Sequence, residues 1–336
     1  CHGEVRNGGI PDWLFSKGCK MRTVDSTFLF YTERLYRQIF THVQGLQWKD
    51  GGPVIACQFD NEYRGHGSYL MALKKIAQRI GFDLPFYTRT GWPELRTPVP
   101  FGEMLPLYGD YADGFWDKET TEGAGNYWKA FHFKAFRSST AIGTDLFGKQ
   151  EERIAKGDND YPYFTCELGG GMVTSYHRRV YLYPEDALSM AVVKLGSGSN
   201  LLGYYMYHGG TNPVGKTTLN ENQRTFGTAN NDLPVKSYEF QAPLGEFGQI
   251  NPTYYTLRPL HLFMHDYGEL LAPMDAHFPC ADKEAKKHDD SYLRWSYRTD
   301  GKSGFVFVNN YERFANLSEK RNVQFDVCDV KFPSKP

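Results

Sequence analysis

No run of about 18 apolar residues occurs anywhere in the sequence, which argues against a membrane-spanning helix. An excess of charge of either sign is also lacking. Thirty-eight basic residues face 39 acidic ones, and the net charge of -1 gives no broad field to attract nucleic acid or an anionic membrane. The six cysteines, Cys1, Cys19, Cys57, Cys166, Cys280 and Cys328, form no CxxC pair and stand at no zinc-type spacing with histidine. No metal is therefore expected. Cys57 and Cys166 sit inside apolar, strand-like runs, where a free buried thiol is the default and says nothing of the redox compartment. The first residue is not Met and reads as mid-strand, so a signal peptide would lie upstream of it.

What is present in quantity is apolar and aromatic. With 40% hydrophobic residues in a chain of 336, a full core can be buried, and the length suits one large domain and part of another. The 23 Tyr, 24 Phe and 6 Trp serve as core residues, and such rings also pack against the C–H faces of sugars.

Short apolar runs alternate with helical patterns as far as about residue 275, the pattern of βα units around a parallel sheet. Strands are expected at Val54 to Phe59, Pro85 to Thr88, Leu105 to Tyr108, Tyr163 to Cys166 and Leu201 to Tyr207. Ser26 can cap a helix that buries Phe28, Leu35, Ile39 and Val43, and Ser68 a second that buries Leu70, Leu73, Ala77 and Ile80, stopped by Gly81. Pro184, Glu185 and Asp186 open a third, which Gly196 closes. Beyond about residue 285, Tyr292 to Tyr297 and Phe305 to Asn309 alternate with period two around Asp300-Gly301, a hairpin signal, and Val323 to Val327 supplies one more strand.

Two carboxylates follow strands: Glu62 in Asp60-Asn61-Glu62-Tyr63 and Glu167 in Glu167-Leu168-Gly169-Gly170-Gly171. In a (β/α)8 barrel the carboxyl ends of the strands form one face, and at roughly 31 residues per unit of a ~250-residue barrel these two stand about three units apart. Strands 4 and 7 satisfy that count. A carboxylate pair across a barrel mouth suits glycoside hydrolysis, one protonating the departing oxygen and the other attacking the anomeric carbon. Either residue taken alone reads as a solvated loop carboxylate or a cap.

Five segments in order change that balance: Cys1-His2-Gly3-Glu4 with Gly8 to Leu14, Gln58 to Tyr63, Glu167, Tyr205 to Asn212, and Ser237 to Leu244. Together they resemble glycoside hydrolase family 35, the β-galactosidases, over roughly residues 1 to 265. The resemblance implies Glu62 as general acid/base and Glu167 as nucleophile of a retaining reaction. It also implies Asn61, the backbone at Gly3, Glu4 and Tyr205 as galactose contacts, a location outside the cell or in the periplasm, and no cofactor. Asn61 and Glu62 can both reach one sugar only where the strand has ended or bulged. Two departures stand out: Gly169 to Met172 replace an aromatic cluster after Glu167, and Phe240 replaces a second sugar-contacting Tyr.

Gly210 to Thr217 satisfies the GxxxxGK[ST] pattern of a phosphate loop, but Pro213 removes a cradle N–H and no helical periodicity follows Thr217. A sugar-binding module without turnover, and a related barrel glycosidase of other specificity, are further alternatives. Scattered histidines, among them His132, His177 and His208, read as structural. The expectation is a (β/α)8 barrel over residues 1–280, lacking strands 1 and 2 and most of strand 3. The start of a β-sandwich-like domain over 281–336 follows, with a galactose-containing glycan as the ligand.

Overall fold

The structure is a computed structural model that describes residues 9–88, 97, 99–114, 119, 121–142, 152, 158–172, 178–212 and 236–335. Its centre is an arc of parallel strands. β1 (Cys57–Gln58) pairs with β2 (Phe86–Thr88), β2 with β3 (Leu105–Pro106), and β4 (Tyr108–Asp110) with β5 (Thr165–Leu168), all in parallel. β5 is continued by single parallel bridges from Phe164 to Leu201 and from Leu168 to Tyr204. The five expected strand regions thus lie side by side in chain order. The first is shorter than expected: Val54 makes only one bridge, to Gln47, and pairing with β2 starts at Cys57. The last reduces to the bridges at Leu201 and Tyr204.

Helices flank the arc. A short α1 (Asp12–Phe15) precedes α2 (Ser26–Val43), and α3 (Gly67–Ile80) follows β1. The cap of α2 is Asp25, not Ser26, because its carboxylate accepts the N–H groups of both Thr27 and Phe28 at 3.0 Å. His66 takes the equivalent place at α3, accepting from the Ser68 N–H at 3.2 Å. α3 buries Leu70, Leu73 and Ala77 as its periodicity requires, and Gly81 ends it at φ 122°. α2 departs from expectation: Leu35 and Ile39 are exposed, and the inward stripe runs through Phe28, Leu29, Tyr36, Phe40 and Val43. Both stripes are apolar, and aromatic stacking separates them. Tyr36 stacks on Phe59, Phe59 on Phe86, and Phe40 meets Phe82 edge-on, at ring separations of 5.9, 4.7 and 5.1 Å.

α4 (Pro184–Gly196) has the expected bounds and is buried along most of its length. It packs on α5 (Pro252–Leu271) and on an antiparallel sheet of β8 (Asp275–His277), β9 (Arg294–Thr299) and β10 (Gly304–Asn309). Between β5 and this sheet, β6 (Gly210–Thr211) and β7 (Ser237–Tyr238) form an antiparallel pair. β9 and β10 are the expected hairpin, with Gly301 at φ 86° in the turn. Arg298 on β9 is fully buried and closes the ends of both helices, donating to the carbonyls of Leu195 at 3.2 Å and Leu271 at 2.9 Å. A guanidinium there answers the partial negative charge of two helix C-termini. Burial still draws its pKa down to about 10. β11 (Phe325–Val327) is continued by β12 (Val330–Phe332), a strand the sequence reading lacks, through a turn with both Cys328 and Asp329 at positive φ. No helix among the described residues is long and apolar enough to cross a membrane.

Candidate active site

β1 ends at Gln58, and the chain leaves it through two left-handed residues, Asp60 at φ 58° and Glu62 at φ 47°. Strand alternation has therefore stopped before Asn61-Glu62. The turn is tethered by side chains. Arg22 forks onto Asp60 at 3.0 and 2.8 Å and donates to the Asn61 carbonyl at 3.0 Å. The Tyr63 hydroxyl donates back to the Arg22 carbonyl at 3.0 Å, Gln58 donates to the Asn61 side chain at 2.8 Å, and Thr88 of β2 donates to the Phe59 carbonyl at 2.8 Å. Burial favours protonation of Asp60, but the Arg22 fork and the Asn61 N–H at 2.8 Å outweigh it and hold the pKa below the ordinary carboxylate value.

Glu167 is placed by close packing. Tyr108 pairs with Thr165 and Gly109 with Glu167, so Cys166 is an extra residue, a bulge that re-aims the next side chain. Beyond it a Cβ at Gly169 would lie 2.9 Å from the Tyr111 ring, and one at Gly171 would lie 2.0 Å from the Phe240 carbonyl oxygen. The glycines that stand where an aromatic cluster was expected are thus required by neighbours. The aromatic beside Glu167 comes from another strand: Tyr111, just past β4, is buried and donates its hydroxyl to Glu167 Oε2 at 3.1 Å.

Tyr111 also brings the separated parts together. Burial comes first in pushing its pKa far above the ordinary phenol value, followed by the charge of Glu167, the Tyr205 phenol and the charge of Glu62. Of the residues singled out in the sequence, Glu167 bonds this hydroxyl, while Tyr205 and the charge of Glu62 are felt by the same phenol. Tyr205 meets Phe240 edge-on at 5.2 Å, and its hydroxyl bonds the hydroxyl of Tyr238. Where Phe240 lacks a hydroxyl, Tyr238 supplies one two residues earlier. Gly3 and Glu4 lie outside the described residues.

Tyr111 and Arg22 were missed in the sequence. Tyr111 follows a strand as Glu62 and Glu167 do, and that position was the available signal; nothing local marks Arg22. His132 is buried against Glu312 at 3.2 Å and Arg294 at 2.9 Å, a packed ion network. His208 bonds the Gly209 carbonyl, and His177 lies outside the described residues. Gly210 and Thr211 are strand residues paired with Tyr238 and Ser237, while residues 213–217 of the phosphate-loop pattern lie outside the described residues. Among the described residues no cluster of His, Cys, Asp and Glu suits a metal ion, and Cys57 and Cys166 are half-buried and form no disulfide.

The family model for glycosyl hydrolases family 35 matches residues 1–264. The chain belongs to this family. Relatives include "Beta-galactosidase 17" of Arabidopsis thaliana, 28% identical over 268 residues, which cover 76% of this chain and 34% of that protein. "Beta-galactosidase" of Homo sapiens is 24% identical over 261 residues, covering 76% and 33%. "Beta-galactosidase A" of a Penicillium species is 24% identical over 303 residues, covering 79% and 27%. The chain spans about a third of the length of the first two relatives. Among solved structures, a beta-glucuronidase of an uncultured Clostridium species aligns with a TM-score of 0.40 at 12% identity, over 73% of this chain and 38% of that one.

Proposed function

We propose that the chain carries the catalytic centre of a retaining glycoside hydrolase that releases terminal β-linked galactose. Membership of family 35, whose relatives above are named β-galactosidases, supports the substrate class. The observation that supports the mechanism is the Tyr111 hydroxyl bonded to Glu167 at 3.1 Å, on a buried phenol that also feels the charge of Glu62, with all three residues just past or at the ends of parallel strands.

In this reading Glu167 attacks the anomeric carbon while Glu62 protonates the departing oxygen. Water, activated by the Glu62 carboxylate, then hydrolyses the glycosyl-enzyme. Tyr111, kept protonated, donates to the Glu167 carboxylate and orients it. Asn61 and Tyr205 bind galactose hydroxyls, and Gly3 and Glu4 complete the sugar site. The arc is part of a (β/α)8 barrel over 1–280, and 281–336 open a β-sandwich-like domain. A location outside the cell or in the periplasm belongs to the same reading.

Azide separates the two roles. In Glu62→Gln, activated aryl galactosides should still form the covalent intermediate, and azide, which needs no base, should restore turnover and give the β-azide. In Glu167→Ala, azide should enter the vacated space and give the α-azide once. Near-normal rates of Glu62→Gln on unactivated galactosides, or a β-azide from Glu167→Ala, would overturn the assignment.

A further inference from the structure

Four residues, Asp110 to Asp113, run from the end of β4 and include Tyr111. Both ends of this short segment are pinned by buried ions. Asp110 pairs with Lys194 of α4 at 2.9 Å, with both side chains almost wholly buried. Asp113, equally buried, lies between two guanidiniums: Arg178 at 2.7 Å and Arg313 at 3.3 Å. Arg313 comes from the loop after β10, far away in sequence. It also pairs with Asp186 in the first turn of α4 and donates to the Tyr181 carbonyl at 2.8 Å.

The end of β10 and the start of this loop are anchored at further points. Asn309 donates to the Phe131 carbonyl at 2.7 Å, the Tyr311 hydroxyl donates to Asp186 at 2.9 Å, and Glu312 pairs with Arg294 at 2.9 Å. The antiparallel sheet therefore reaches back to the segment that carries the Glu167 partner. Removing Arg313 leaves buried Asp113 with Arg178 alone, which pulls it from one side only, and takes the guanidinium from buried Asp186 as well, so the 110–113 segment loses the balance that holds it, and Tyr111 is only two residues away.

We propose that Arg313 is a positioning residue for the reaction: through Asp113 it fixes the 110–113 segment and so holds the Tyr111 hydroxyl on Glu167. The inference rests on the β-galactosidase reading, but its structural half does not. A merely structural arginine would lower stability and leave Tyr111 unmoved.

The test uses the whole enzyme with Arg313→Gln, the milder Arg313→Lys, Tyr111→Phe and the double variants. Tyr111→Phe loses a hydrogen bond to a charged group and should lower kcat on aryl β-galactosides about 10- to 100-fold. Arg313→Lys keeps the charge but loses the fork, and misplacement should lower kcat about tenfold with KM within twofold. In the Tyr111→Phe background Arg313→Lys should cost less than about twofold, because the group it positions is gone. Independently of turnover, the 13Cζ resonance of Tyr111 in tyrosine-labelled protein, assigned through Tyr111→Phe, should shift in both Arg313 variants. Arg313→Lys keeps the test open if Arg313→Gln does not fold. Fully additive kcat losses, or an unshifted Tyr111 resonance, would overturn the proposal. A shifted resonance in an enzyme that hydrolyses no galactoside would instead uphold the structural link and remove the function reading.

Discussion

The two candidate catalytic carboxylates are held by opposite means. Glu62 sits in a turn fixed by polar side chains that reach in from elsewhere: Arg22 on Asp60, Thr88 on the Phe59 carbonyl, Tyr63 on the Arg22 carbonyl. Glu167 sits on a bulged strand followed by glycines against which Tyr111 and the chain at Phe240 close directly. A tethered turn fails by degrees, because each tether carries part of the load. A close-packed turn fails at once, because protein interiors give little before other atoms must shift. The difference also bears on chemistry: a nucleophile gains from a fixed distance to the anomeric carbon, while an acid/base must serve two oxygens in succession.

The largest effect should come from breaking the close-packed side. In Gly171→Ala the new Cβ would stand 2.0 Å from the Phe240 carbonyl oxygen, a backbone atom that cannot swing aside. Overpacking of this kind costs 1 to 3 kcal/mol or more, and a loss of at least about 3 kcal/mol is expected. Gly210→Ala, where a Cβ meets nothing within 4 Å, is the matched control and should stay within about 0.5 kcal/mol. Urea unfolding of both variants checks this; equal midpoints would show that close packing does not hold the Glu167 turn.

A middle effect is expected at the tether. Arg22→Ala strands the fully buried Asp60 carboxylate, which in a sealed site costs about 3 to 5 kcal/mol. The Arg22 side chain is 23% exposed, so water can replace part of what is lost, and about 2 kcal/mol is the better figure. The pH dependence should flatten. In the intact protein the Asp60 pKa is depressed, so its contribution is present above the ordinary value of 3.8 and is lost as pH falls through the lower folded pKa. Without Arg22 that depression shrinks, so less stability is lost as pH falls through the folded pKa. Unfolding midpoints between about pH 3 and 6 distinguish the two slopes; parallel curves would show that Arg22 does not govern Asp60.

The contrast also explains what could be read from the sequence. Strands and helices were legible where the pattern is local: Pro184 to Gly196 in α4, Leu70, Leu73 and Ala77 in α3, and the β9–β10 hairpin around Gly301. Reading failed where two local answers were equally good. Leu35 and Ile39 make as good a stripe on α2 as Tyr36 and Phe40, and only Phe59 and Phe82 decide between them. At the candidate site, Glu62, Glu167, Asn61 and Tyr205 could be singled out through their motifs. Arg22, Tyr111 and Arg313 were not, because each acts on a partner far away in sequence. The three glycines after Glu167 were visible as a departure, but not their reason: missing side chains admit the Tyr111 ring and the chain at residue 240.

The smallest effect tests whether the tethers of the Glu62 turn are separate. Thr88 is buried on β2, and its hydroxyl donates to the Phe59 carbonyl at 2.8 Å, upstream of the residues that Arg22 holds. Thr88→Val keeps shape and β-branching but removes the donor, so the carbonyl loses one bond while the strand keeps its packing. The expected cost is about 1 kcal/mol, the ordinary net worth of a neutral hydrogen bond. Arg22 and Thr88 act on different groups, and if the turn is held by independent tethers the Arg22→Ala/Thr88→Val double variant should lose the sum of the two within about 0.5 kcal/mol. A double variant that loses clearly less would mean that Arg22→Ala already frees the chain back to Phe59. The Glu62 turn would then yield as one unit, as the Glu167 turn does, and the contrast between the two would be one of chemistry alone.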